Sequence, residues 1–254
     1  MKNLLGIRNR DPWMKIILYL KDVYFTPPFE HLYRAAKFAK RSGISKNTKS
    51  IIIDAGSYDG LSCLFFSSQF PNASIKAFEP NPEILELINK NITKKPNIEL
   101  FPVALSNVTG ESTFHITQNQ VSSSLLQVDA EFYAKKENET MSTQLKVTQE
   151  IKVPTKRLDD YNFEEVLLLK MDTQGNELNL INGAQETLKK TYMVVTEMAG
   201  SASYEGSCHY FETDEALRKL GFEAVDWIVA YRRAGIIALE FDMIYVNSNF
   251  KVSN

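Results

Sequence analysis

With 254 residues, 44% of them hydrophobic and 24% charged, the chain has the composition of a folded globular protein. Its length suits one large α/β domain with an extension. The 29 Lys and Arg against 31 Asp and Glu leave a formal charge of −2. That balance lacks the basic excess of a dedicated nucleic-acid binder, so no nucleic-acid partner is expected. The two cysteines, Cys63 and Cys208, rule out a disulfide scaffold. Neither lies in a CxxC pattern, and no metal is expected.

Residues 1–48 read as a helical extension, with amphipathic segments 13–24 and 31–41 split by Pro27-Pro28. The apolar run 13–20 is bounded by charge. It falls short of the roughly 20 apolar residues of a transmembrane segment, and no small-residue cleavage site follows it. It is expected to pack on the domain. A peripheral membrane contact and a homodimer contact are the other uses of such a helix, and the cytoplasm is the expected compartment.

Residues 49–254 form the second unit, in which the hydrophobic pattern alternates strand and helix. Strands are expected at 51–53, 75–78, 98–103, 166–171 and 193–196, and helices at 61–69, 82–91, 177–190 and 213–220. Such alternation implies right-handed crossovers and a parallel sheet. The segments 222–230 and 236–246 read as a closing antiparallel hairpin. Between 106 and 160 the alternation breaks. Strands at 113–116 and 151–155 flank a polar stretch, 118–150, too long for an ordinary loop and expected to act as a lid.

Four motifs fall where expected strands end. The first is Asp54-Ala55-Gly56-Ser57-Tyr58-Asp59-Gly60. Gly56 permits a sharp turn and close approach of a ligand, and Gly60 opens a helix whose free N–H groups suit an anion. Its glycine spacing is not the G-x-G-x-x-G of dinucleotide sites, which weighs against an NAD-dependent oxidoreductase. The second is Glu79 in Phe78-Glu79-Pro80-Asn81-Pro82, an acid placed to accept hydrogen bonds from both hydroxyls of an adenosine ribose, on a turn stiffened by Pro80. The third is Asp172 in Lys170-Met171-Asp172-Thr173-Gln174-Gly175. It could contact a cofactor amino group, orient a substrate hydroxyl or act as base. The fourth is Thr196-Glu197, with His209 beyond it as a further acid/base candidate. Glu177 reads as a helix-dipole residue. The set Asp172, Glu177, Glu197 and His209 lacks compact metal-ligand spacing.

Taken in order, IIIDAGSYDG, KAFEPNP and LLLKMDTQGNEL, with Ala104-Leu105-Ser106, VSSSLL from Val121 and VPTKRLDDY from Val153, resemble the FkbM family of S-adenosylmethionine-dependent methyltransferases over roughly residues 50–200. The resemblance implies a class I methyltransferase fold: a seven-stranded, mostly parallel, Rossmann-like sheet whose last strand is antiparallel. It also implies an enzyme that O-methylates a hydroxyl of a sugar, glycan or natural product, with S-adenosyl-L-methionine as cofactor. Gly56, with Ser57 and Gly60, would then pass the methionine part, with Asp54 near its ammonium, Glu79 and Pro80 would hold the ribose, and Ala104 and Leu105 would lie beside the adenine. Asp172 would be the first choice of base, followed by Glu197 and His209. Gln174 departs from the family, which usually has Glu there, and this keeps open a non-catalytic binding module.

Overall fold

The computed structural model describes residues 29–129, 143–200, 204–233 and 237–250. The expected helix 13–24 and part of the expected lid lie outside them. The described elements are α1 (Glu30–Arg41), β1 (Ile51–Ala55), α2 (Leu61–Gln69), β2 (Ser74–Phe78), α3 (Leu85–Ile92), β3 (Ile98–Phe101), β4 (Ala104–Leu105) and β5 (Gly110–Thr117). There follow β6 (Val147–Lys156), β7 (Val166–Met171), α4 (Glu177–Asn182), α5 (Gln185–Lys189), β8 (Thr191–Ala199), α6 (Tyr210–Lys219), β9 (Phe222–Arg233) and β10 (Ile237–Asn247).

The main sheet has seven strands in the order β3-β2-β1-β7-β8-β10-β9. Every described pairing in it is parallel except those of β10, which runs antiparallel to both β8 and β9. This is the class I methyltransferase order, with the last strand inserted before the edge. All six residues of β7 are buried, as a central strand covered on both faces must be. The two-residue period sorts the core into two layers. Ile52, Ile75, Leu168, Met193, Val195 and Ile244 face α1 and α2. Ile53, Phe78, Leu169, Met171, Val194 and Tyr245 face α4, α5 and α6. Among the described residues no helix is long and apolar enough to cross a membrane.

Three expectations need correction. The strand expected at 98–103 stops at Phe101, because Pro102 cannot donate to the ladder. Ala104-Leu105 then leaves the main sheet and pairs in parallel with β6, which pairs antiparallel with β5. The break in alternation is thus a separate three-stranded sheet, with a small core of Ala104, Phe114, Ile116 and Val153. The helix expected over 177–190 is two helices divided at Gly183, where a Cβ would lie 2.0 Å from the Ser106 carbonyl oxygen. The helix expected from Pro82 starts at Leu85, after a turn in which the Asn81 side chain accepts the Glu83 N–H at 3.0 Å.

Candidate active site

The site lies where β1, β2, β7 and β8 end. Gly56 follows β1 with φ 77°, and its N–H donates to the Phe78 carbonyl at 3.0 Å. A Cβ here would stand 1.9 Å from the Asp172 carbonyl oxygen, so only glycine lets the two strand ends pass this closely. The turn continues through Tyr58, also at positive φ, whose N–H donates to Glu79 Oε2 at 2.9 Å. Asn81 N–H donates to Glu79 Oε1 at 2.9 Å. Each carboxylate oxygen therefore holds one backbone donor and keeps a lone pair. Burial pushes the Glu79 carboxyl up to about 7, against the pull of those two N–H groups and of Lys170.

Glu79 lines a cleft with Gly56, Pro80, Val103, Ala104, Leu105, Phe114, Asp172, Gln174 and Asn176. Gln120, Val121, Ser123 and Leu125, from the expected lid, close part of its rim. Asn176 ties two parts of the lining together by donating to the Leu105 carbonyl at 2.9 Å. A glycine that leaves space, a buried acid with spare acceptor capacity and a wall of Pro80, Val103, Leu105 and Phe114 fit an adenosyl group with its ribose diol.

Asp54, Ser57 and Gly60 do not line this cleft. Asp54 is still inside β1 and shares the face of Ile52, so α2 covers it completely. It accepts from the Ser62 hydroxyl and the Cys63 thiol, and its other oxygen pairs with Lys170 Nζ at 3.2 Å. It is a buried anchor and does not reach a ligand ammonium. Ser57 is turned inward, its hydroxyl donating to the Asp54 carbonyl at 2.9 Å. Gly60 is the left-handed cap of α2, packed under Ile88 and Ile92. His209 also stands apart: it caps α6, its N–H donates to Glu212 at 2.8 Å, and its ring stacks on Phe211.

The residue that local motifs did not single out is Lys170. Its Nζ pairs with Asp54 at 3.2 Å and Asp172 at 3.3 Å and donates to the Gly56 carbonyl at 3.2 Å. Burial alone would discharge this ammonium, but Asp172 and Asp54 raise its proton affinity above the ordinary lysine value. Asp172 responds in the opposite sense. Burial works to raise it, yet Lys170 and the Gln174 amide hold it below the usual carboxylate range.

Gln174, at φ 54°, is the hub of the rim. Its Nε2 donates to Asp172 Oδ1 and to Glu197 Oε2, both at 3.0 Å. Its Oε1 accepts from the Tyr204 hydroxyl at 2.8 Å. A glutamate here would place a third carboxylate against the other two, whereas the amide supplies each with a donor. Glu197 is pushed well above the ordinary carboxyl value by burial and by the charges of Asp172, Glu240, Asp242 and Glu177. Glu177, the first residue of α4, accepts from the Thr173 N–H at 2.8 Å and from its hydroxyl at 3.0 Å.

A family model described as a methyltransferase FkbM domain matches residues 54–224. The chain is 30% identical over 160 residues to the 2-O-methyltransferase NoeI of Sinorhizobium fredii, covering 61% of this chain and 66% of that protein. It is 24% identical over 147 residues to Methyltransferase 1 of Beauveria bassiana, covering 54% and 59%. The chain thus spans less than two thirds of the length of these curated relatives. A solved rRNA methylase from Streptococcus thermophilus superposes with a TM-score of 0.48 at 11% identity, covering 86% of this chain and 97% of that one.

Proposed function

Because the chain belongs to the FkbM methyltransferase family, we propose that it transfers a methyl group from S-adenosylmethionine to a hydroxyl oxygen of a sugar, glycan or natural product. The observation that carries the donor half is Glu79, a buried carboxylate whose two oxygens each hold a backbone N–H and open onto the cleft. Support for an oxygen acceptor comes from the similarity to NoeI, a 2-O-methyltransferase.

The bound donor supplies an electrophilic methyl on a sulfonium, so the chain's task is alignment and proton removal. Glu79 accepts the ribose hydroxyls, the turn at Gly56 gives the methionine part room, and Pro80, Ala104 and Leu105 flank the adenine. Asp172, pinned by Lys170 and Gln174, is a weak base and serves better as a fixed negative charge facing the sulfonium. Glu197 does not itself line the cleft but joins it through the Gln174 amide. Burial and the neighbouring carboxylates raise its proton affinity, so we assign it the role of base in place of Asp172.

The test is calorimetric titration with S-adenosylmethionine across pH. A diol donating to Glu79 favours its ionised form, so wild-type affinity should fall about tenfold per pH unit below about 7. Glu79→Gln should weaken binding about 10- to 100-fold at pH 8, the worth of hydrogen bonds to a charged group, and flatten the pH dependence. Equal affinity in both proteins would remove Glu79 from the ribose. The same shift bears on folding. The Glu79 carboxyl's contribution to stability is fully present below its unfolded value near 4.5 and is lost as pH rises through about 7. The apo glutamine variant should therefore lose less stability over that interval.

A further inference from the structure

The two-residue period puts Asp54, Lys170 and Asp172 on the sheet face covered by α1 and α2, and Glu197 and Asp242 share it. Glu197 on β8 and Asp242 on β10 are register partners across an antiparallel pair. Directly opposed side chains in such a pair have Cβ atoms about 4.5–5.5 Å apart, and two like charges there repel. Asp242 in turn lies 3.3 Å from His31 Nδ1, at the N-terminal end of α1, which packs on β8 and β10. Nothing in the donor cleft uses this arrangement.

We propose that Asp242 and His31 are positioning residues for Glu197, forming a proton-sharing pair of carboxylates held from behind by the imidazole. The inference rests on the methyl-transfer reading above. Two opposed, mostly buried carboxyls retain one proton between them more readily than they carry two charges. The charge of Asp242 raises Glu197, so the shared proton rests on Glu197 while Asp242 stays ionised. The ionised Asp242 accepts from the Nδ1–H of a neutral His31. Burial and Lys170 lower His31 to about 4, in keeping with a neutral ring, while burial and Asp172 raise Asp242 to about 7.

In the reaction the acceptor O–H bond breaks as the new C–O bond forms, and the S–CH3 electron pair stays on sulfur. Once the pair has lost its shared proton, the hydroxyl proton passes to Glu197, and the pair returns one proton to solvent after product leaves. The charged groups facing the pair are Lys170 from β7, Asp172 just beyond it, Asp54 from β1, Glu240 from β10 and Glu177 from α4. On α1, Arg34 is engaged by Glu30 and Asp226.

Asp242→Asn removes the like charge that raises Glu197. The acidic limb of the kcat profile should move down by about one pH unit, and plateau kcat should fall about tenfold with the weaker base. Donor affinity should stay within twofold. His31→Ala should lower kcat by a similar factor, and His31→Gln, which retains a donor, should recover part of it. A limb that stays in place in Asp242→Asn overturns the proposal. A second readout needs no turnover: carbon-13 NMR titration of the Asp242 and Glu197 carboxyls. Both should titrate above the ordinary range, and each midpoint should move when the other is made an amide. Independent midpoints defeat the pairing even if methyl transfer is confirmed. Coupled midpoints in a protein that methylates no hydroxyl would uphold the pairing and defeat the methyl-transfer reading.

Discussion

Gly56→Ala is expected to abolish measurable binding of S-adenosylmethionine, a loss of more than about 10³-fold, although the substitution adds a single methyl group. The left-handed backbone, φ 77°, costs a non-glycine residue about 1–3 kcal/mol by itself. The larger effect is steric. The added carbon would sit 1.9 Å from the Asp172 carbonyl oxygen, and a backbone atom cannot swing aside as a flexible side chain can. Either the β1 turn or the end of β7 must move. The first takes with it the Tyr58 N–H that holds Glu79, and the second displaces Asp172 and Gln174. Gly43→Ala separates strain from clash. Gly43 also has positive φ, 94°, but an added Cβ meets nothing within 4 Å. That variant should show the stability loss in urea denaturation and bind donor as wild type does. Comparable donor affinity in Gly56→Ala and Gly43→Ala would mean the strand ends do not shape the donor site.

Features carried by contiguous residues were legible before the fold was known. The buried runs of β1 and β7, the turn at Gly56, the acid at the end of β2 and the acid at the end of β7 each announce themselves over fewer than ten residues. Misreadings came where one residue of register decides direction. Asp54 and Glu79 both read as rim acids. Asp54 lies within its strand under α2, while Glu79 is the first residue beyond β2 and opens onto the cleft. Other features have no local signal. β4 is two residues long and owes its existence to β6, far along the chain. His31 and Asp242 meet only because β10 is inserted beside β8 under α1. Lys170 sits within an apolar strand, and its role needs the neighbouring strand ends before it can be seen.

Lys170→Met should lower global stability by about 3–5 kcal/mol, the usual loss when one partner of a buried ion pair is removed and the other stays. The lysine side chain is 7% exposed and Asp54 is fully buried, so no water can replace the ammonium beside that carboxylate. Methionine keeps most of the volume, which makes charge, not cavity, the variable. The double variant Lys170→Met, Asp54→Asn tests this directly. The amide keeps an oxygen for the Ser62 hydroxyl while removing the unpaired charge, so the pair of changes should cost less than the sum of the single ones. The non-additivity should exceed about 1 kcal/mol in urea denaturation at pH 7. The lysine variant also frees Asp172, whose proton affinity must rise once the ammonium is gone. Glu197, crowded by that same carboxylate, should then rise or fall with the charge Asp172 keeps. Strict additivity of the two substitutions would show that Lys170 acts through packing and leave the rim charges without their common counter-ion.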